Sequence, residues 1–441
     1  MTLSLRESFF NGDQMTHKYG LDLTKKACFY TYLASSSAFA LPPILFITFH
    51  EMYGVSYTLL GTLVLVNFIT QLAIDLVFTF FSKHFNIKLT VRIMPLITSF
   101  GLFIYALIPM LFPEKAYIGL LAGTVVFSVA AGLSEVLVSP TVAAIPSDDP
   151  GRDMSRLHSL YGWGVVTVVV VSTAVLTLIG RENWMYLTFF WALLPIVSFI
   201  LFNVAPFPEI DLHHSLSPEK TRRKNLALAL CVFCIFFGSA AENVMTNWIS
   251  AFFEKALGLS KTWCDLAGMA LFAVLLGTVR TVYAKRGKDI YPVLFFGMVL
   301  SAILYIVAGI SPFPVLSLAA CVLIGVFTSM LWPGTLILME EITPRPGVAA
   351  YALLAAGGDF GASVAPQLLG LTVDGVSESG LAAKIGESLA LTGEQVGMKT
   401  GMLVAAIYPI LGAVAVLLIG KLFGRSISLK NKHIENQSNP E

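Results

Sequence analysis

Solid apolar runs separated by short charged links recur along the chain. They fall at residues 26–49, 59–82, 91–112, 116–145, 157–180, 184–206, 225–252, 262–285, 290–310, 313–342, 348–374 and 400–424. A hydrocarbon core about 30 Å thick is crossed by roughly 20 helical residues at about 1.5 Å each. A soluble protein would instead alternate apolar and polar positions at helical or strand period. The pattern therefore predicts an all-α membrane protein with twelve transmembrane helices.

The longest polar link, 207–224 (PFPEIDLHHSLSPEKTRRKN from Pro206 onward to Asn225), carries prolines and a basic cluster between the sixth and seventh runs. It divides the chain into six-helix bundles at 26–206 and 225–424, with polar tails at 1–25 and 425–441. The halves echo one another. GVSYT at 54–58 is answered by GLSKT at 258–262, and FTFFSKHFNIK at 78–88 by RTVYAKRGKDI at 280–290. Two pseudo-symmetric bundles of this kind form a transporter plan with the solute site near the midplane.

Composition sharpens the reading. The chain is 56% hydrophobic and 12% charged, with mean hydropathy +0.78. A net charge of +1 gives no footprint for nucleic acid. With the N-terminus inside, the inner links and tails hold 21 basic residues and the outer links 6, which places both termini in the cytosol. The first 25 residues have no apolar core followed by a cleavage site and read as a retained cytosolic tail. Without eukaryotic sorting signals, the expected location is a bacterial inner membrane. The five cysteines lie in or near the runs; Cys231 and Cys234 form a CxxC on the seventh, read as packing and not as metal or redox chemistry.

The arrangement resembles the major facilitator superfamily over essentially the whole chain. The superfamily's basic signature after spans two and eight is echoed by Ser82-Lys83-His84-Phe85-Asn86-Ile87-Lys88 and by Gly277 to Lys288, with Ala284 where an acid is usual. Within it, the chain is similar to the fucose–galactose–proton symporter-like branch at Gly132-Leu-Ser-Glu135, Leu157-His158-Ser-Leu-Tyr161-Gly162-Trp-Gly164, and Glu242-Asn243 with Asn247-Trp248. The resemblance implies that Glu135, in the place of the branch's span-four acid, takes part in proton coupling. The span-one acid of the sugar symporters is replaced by Ser35, Ser36 and Ser37.

An ionised group at the bilayer centre costs about 2.5–3.5 kcal/mol on insertion scales, so each needs a partner, a wet cavity or a neutral state. Asn67, Gln71 and Asp75 recur every four residues on one face of span two, which is either a helix–helix seam or a cavity wall. Glu135 on span four, Asp75 and His158 are the candidate proton-coupling residues. Amides and acids beside aromatic rings suit a hydroxylated solute, so Asn67, Gln71, Tyr161, Glu242, Asn243, Asn247, Trp248 and Trp332 are the candidate substrate contacts. Trp248 is open to a second reading as an interfacial anchor. Trp332-Pro333-Gly334 is expected to break span ten. Arg280 is expected to pair with Glu340 and Glu341 near the cytosolic ends of spans eight and ten, with Lys285 and Arg286 nearby, as a gate. Asp359, in a stripe of small residues on span eleven, is placed near the gate of a sliding contact with span two and is expected to act in gating. The outer link 375–399 reads as a short amphipathic helix.

These features predict a secondary active transporter for a small polar solute, a sugar or sugar derivative, working by alternating access with proton symport. Proton-linked efflux of amphipathic compounds and a non-transporting sensor are the rivals. No GxxxxGK[ST] loop, HExxH or GxSxG set is present, so neither ATP-driven transport nor an enzyme is expected. No cofactor or metal is called for; the partners are the solute, a proton and the bilayer, with the monomer as working unit.

Overall fold

The computed structural model describes residues 2–81, 84–147, 150–208, 222–286, 289–343 and 348–438. They form helices joined by short links. In chain order these are α1 (Thr2–Tyr53), α2 (Tyr57–Phe81), α3 (Ile87–Leu111), α4 (Ala116–Ala143), α5 (Pro150–Ile179), α6 (Trp184–Val204) and α7 (Arg222–Lys255). A single turn α8 (Lys261–Trp263) and a π-helical segment, Cys264–Ala270, lead into α9 (Leu271–Arg286). There follow α10 (Ile290–Ile310), α11 (Pro314–Thr328), α12 (Leu331–Ile342), α13 (Val348–Ser377), α14 (Gly380–Leu389), α15 (Gly393–Ala405) and α16 (Ile407–Ser438).

Among the described residues, eleven stretches are long and apolar enough to cross a membrane. The protein is thus an integral, multi-pass helical membrane protein. The expected run that falls outside the eleven, 348–374, is a continuous helix, α13. Gly357, Gly358, Asp359, Gly361, Ser363 and Gln367 dilute its hydropathy. Large apolar side chains such as Phe100, Ile118, Leu178 and Val315 are left exposed, a surface only lipid covers at low cost. The helix of α1 begins well ahead of the apolar run, and its candidate span opens at Leu21.

The chain forms two compact units, one of residues 1–42 with 70–213 and one of residues 43–69 with 214–441. In the first, all six helices feed one core, with Cys28 of α1, Phe78 of α2, Met94 of α3, Leu137 of α4, Leu157 of α5 and Phe202 of α6. Polar groups close the seams. The Trp191 indole N–H donates to Ser172 (2.9 Å), and the Ser99 hydroxyl to the Ala192 carbonyl (2.7 Å). Arg92 Nε donates to the Phe202 carbonyl at 3.1 Å, one of the last-turn acceptors a helix cannot satisfy itself.

At the polar end of this unit, Lys25 Nζ bonds Asp153 at 2.5 Å and the Ser147 hydroxyl donates to the same carboxylate at 2.6 Å. These two bonds, Lys25 first, hold the Asp153 carboxyl below the ordinary carboxylate range. A folded-state pKa below the unfolded one gives stability that is complete above the usual Asp value of about 3.9 and is lost as pH falls through the folded value. The stability difference between wild type and Asp153→Asn is therefore expected to stay constant from about pH 7 to 5 and to close below about pH 4. Thermal unfolding of both proteins across that range checks it; a difference undiminished at pH 3 would count against the pairing.

In the second unit, α7, α10, α12, α13 and α16 share a core that includes Cys231, Cys234, Met298, Leu331, Leu338, Leu354 and Val416. The two CxxC thiols are buried there, and Cys234 Sγ lies 3.5 Å from the Thr335 hydroxyl. The Tyr305 hydroxyl donates to the Ala241 carbonyl at 2.6 Å, fastening α10 to α7. A capping box of Thr392 and Gln395 opens α15. The link 375–399 contains the expected short helix as α14, ended by Ala390 in the left-handed region (φ 52°).

The ends of α1 and α2 belong to this unit. Ser56 caps α2, leaving the N–H groups of Tyr57 and Thr58 without partners inside the helix. Asp374 of α13 supplies them, accepting from Tyr57 at 3.1 Å and Thr58 at 2.6 Å. The Tyr57 hydroxyl donates to Glu394, and Glu51 pairs with Lys255 at 2.6 Å.

Candidate functional site

In the first unit the acids flagged on α2 and α4 come together. A Cβ on Gly132 would lie 3.1 Å from the Gln71 carbonyl oxygen and 3.0 Å from Ile74 Cβ, so α4 rests almost backbone to backbone on α2 at that level. One turn further along each helix stand Asp75 and Glu135, with carboxylate oxygens within 4.8 Å of one another. Asp75 is half-buried, whereas Glu135 is exposed although it sits deep in α4. At an effective dielectric of about 20, two charges at that separation repel by about 3–4 kcal/mol. The Tyr32 hydroxyl meets Ser139 at 3.2 Å, one turn beyond Glu135.

On α1, Ser36 and Ser37 are buried and Ser35 is half-buried. Ser36 Oγ bonds the Leu33 carbonyl at 2.7 Å and reaches the Tyr161 carbonyl at 3.3 Å, where α5 crosses α1. The Tyr161 ring packs edge-on against Phe39 at 5.7 Å. Gln71 is buried and Asn67 half-buried on α2. The His158 side chain lies outside the described residues.

The second unit builds a different site around Arg280. Pro333 has no N–H, so the carbonyl four residues earlier, Ser329, has no helical donor. Span ten breaks there, between α11 and α12. Arg280 lies near the end of α9, but side chains on a helix lean toward its N-terminus, which carries the guanidinium back into the span. Its Nε donates to the Ser329 carbonyl at 2.8 Å, and its Nη2 contacts both oxygens of Glu242 at 3.0 Å. Arg280 thus takes Glu242 as its partner in place of the expected Glu340 and Glu341. Of those two, Glu340 is exposed and Glu341 buried, and Lys285 and Arg286 are exposed at the end of α9.

Around this pair, Asn243 donates to the Ser239 carbonyl at 3.1 Å and hydroxyl at 3.3 Å, and Thr246 to the Glu242 carbonyl at 2.9 Å. Glu242, Asn243 and Thr246 are partly accessible; Asn247 is buried. Trp248 is a packing anchor and neither a ligand platform nor an interfacial ring. It is 0% exposed, sits against Phe46 and Tyr57, and donates its indole N–H to the Pro366 carbonyl at 3.1 Å. Trp332 is half-buried and packs against α13, where a Cβ on Gly358 would come within 2.1 Å of its ring. The small-residue stripe of α13 serves α7 as well, because a Cβ on Gly361 would meet the Phe236 carbonyl at 2.2 Å. Further along α13, Gly370 lies against Tyr57 and Gln367 against Gly61 of α2. Asp359 is buried.

No curated protein matches the sequence. Among solved structures, a bacterial homolog of the human lysosomal transporter Spinster, inward-facing and unoccupied, aligns with TM-score 0.70 over 92% of this chain and 98% of that chain, at 13% identity. A D-xylose–proton symporter aligns with TM-score 0.69 over 88% and 96%, at 14% identity. The E. coli fucose:proton symporter aligns with TM-score 0.56 over 90% and 99%, at 11% identity. Likeness at such identities is likeness of fold. The family profile described as Major Facilitator Superfamily matches residues 27–366, more than half of the chain. The chain belongs to the Major Facilitator Superfamily of secondary transporters.

Proposed function

We propose that the protein moves a small polar solute by proton-coupled symport, with the Asp75–Glu135 pair as the proton site. The observation that carries this reading is the approach of the two carboxylates to within 4.8 Å inside the membrane. Two negative charges so close are held apart from neutrality only at high cost, and a shared proton removes that cost. Glu135, exposed on its side of the pair, is the member that exchanges the proton with water. A loaded pair, with one negative charge in place of two, passes through a closed conformation more readily than a bare one, which is the physical basis of coupling.

The spans are read as twelve, α13 included, in two six-helix bundles with both termini in the cytosol of a bacterial cell. Neighbours described as a D-xylose–proton symporter, a fucose:proton symporter and a nucleoside transporter favour small hydroxylated solutes. The Asp374, Glu394 and Lys255 ties at the ends of α1 and α2 are of the breakable kind that an alternating-access gate requires.

The test is uptake into proteoliposomes of hydroxylated solutes, neutral (xylose, fucose, uridine) and acidic (galacturonate, lactate), under an inward acid gradient, an inward sodium gradient, or neither. Accumulation of at least one of them above equilibrium with the acid gradient alone is expected. Flux that ignores the acid gradient would overturn the coupling, and accumulation with sodium alone would give the acid pair to a different ion.

A further inference from the structure

We propose that Arg280 docks an anionic group of the transported solute, so that the solute class is a hydroxylated carboxylate and not a neutral sugar. This rests on the reading of the chain as a solute transporter and narrows its substrate.

An arginine within a span is costly enough to require a reason. A purely structural reason would use the whole guanidinium. Lys261 and Asp265 in the same unit show such a tie, sealed to 10% and 0% side-chain exposure. Arg280 differs. Its Nε is held by Ser329 and its Nη2 by Glu242, which fixes the guanidinium plane. Among the described residues no hydrogen bond involves Nη1, and the side chain is 39% exposed, against 17% for Glu242. A guanidinium carries five N–H donors in a fixed fork, and two of them lie on this open edge. A preorganised, partly desolvated pair of donors is suited to a carboxylate.

Asn243, next to Glu242 on α7, offers an acceptor to the rest of such a solute. Asn243 commits its NH2 to Ser239, which leaves its side-chain Oδ1 to accept from a hydroxyl. Glu242 is then the resting counter-ion, and it competes with the incoming anion for the guanidinium. Removing the competitor and removing the docking group must therefore act in opposite directions.

The experiment uses full-length protein with two probe pairs, galacturonate with galactose and lactate with propane-1,2-diol. Ligand-induced stabilisation is measured first, then counterflow in proteoliposomes. At least one acid is expected to bind where its neutral counterpart does not. Arg280→Gln is expected to weaken that acid by about tenfold or more, the scale of one lost charged hydrogen bond. Glu242→Gln is expected to tighten it several-fold, and Arg280→Lys to retain part of the affinity. A structural tie would make Arg280→Gln and Glu242→Gln fall together, which would overturn the proposal. Should Arg280→Gln fail to fold, the sign of the Glu242→Gln effect decides. Counterflow of neutral solutes with no response to either acid also overturns the anion assignment while leaving the transporter reading intact. Absence of flux for xylose, fucose, uridine and all four probes would sink the transporter reading itself.

Discussion

Proteoliposomes carrying Glu135→Gln are expected to lose acid-driven accumulation and to keep solute counterflow. Glutamine preserves the volume and hydrogen-bonding reach of the side chain but cannot carry a proton. Each pH unit of gradient is worth about 1.4 kcal/mol per proton, so one coupled proton supports roughly tenfold accumulation per unit at balance. In the variant that ratio should collapse to about one, because the step that needs the bound proton no longer distinguishes the two sides. Counterflow survives because exchange of labelled for unlabelled solute needs no net proton movement.

Asp75→Asn separates the carrier from its neighbour. It leaves Glu135 titratable and removes one like charge within 4.8 Å. Accumulation is expected to persist there, with a changed dependence on external pH. Accumulation that survives in Glu135→Gln but vanishes in Asp75→Asn would reverse the two assignments. Loss of counterflow together with accumulation in both would make the pair structural.

What the sequence disclosed about these sites depended on the range of the interaction. The spans were legible because twenty apolar residues in a row have few uses outside a bilayer. Helix α13 was legible as an apolar run, yet one diluted by the small residues that let α7 and Trp332 approach it. Asp75 and Glu135 were each conspicuous as acids in apolar runs, but their pairing depends on α4 resting against α2 at Gly132, a contact between residues about sixty positions apart. The break in span ten was readable from Pro333. The orphaned Ser329 carbonyl follows from the same proline by counting back one helical turn, so that acceptor was within reach of the sequence. Its donor was not, because nothing local to Arg280 favours Ser329 and Glu242 over the nearby Glu340 and Glu341. The burial of Trp248 was out of reach for a related reason. A tryptophan beside amides near a span end suits a ligand or an interface, and only the packing of Phe46, Tyr57 and Pro366 around it decides for burial.

Lys261 belongs to the same group, and its replacement should give the largest loss of stability in the protein. By sequence it is one more basic residue in a link between spans, hardly different from Lys255. In the structure its Nζ donates to Asp265 at 2.7 Å and to Ser250 at 2.6 Å, and Ser250 in turn donates to the same Asp265 oxygen at 2.5 Å. The three groups tie the last turns of α7 to the π-helical segment that opens the next span. Forming a buried pair recovers little beyond the cost of desolvating it, but breaking one strands the remaining charge at about 3–5 kcal/mol. Lys261→Met is therefore expected to destabilise by about that amount, since Asp265 is 0% exposed and water cannot replace the lost ammonium. Ser250→Ala, which removes a neutral partner and leaves the ion pair, should cost only about 1 kcal/mol. The double variant Lys261→Met/Asp265→Leu should recover most of the loss, because it removes both charges and leaves apolar volume in their place. Denaturant unfolding of the four proteins in detergent distinguishes these cases. If Lys261→Met costs no more than Ser250→Ala, water reaches Asp265 and the pair is not sealed. If the double variant is as unstable as the single one, the segment depends on the bonds themselves and not on relief from a stranded charge.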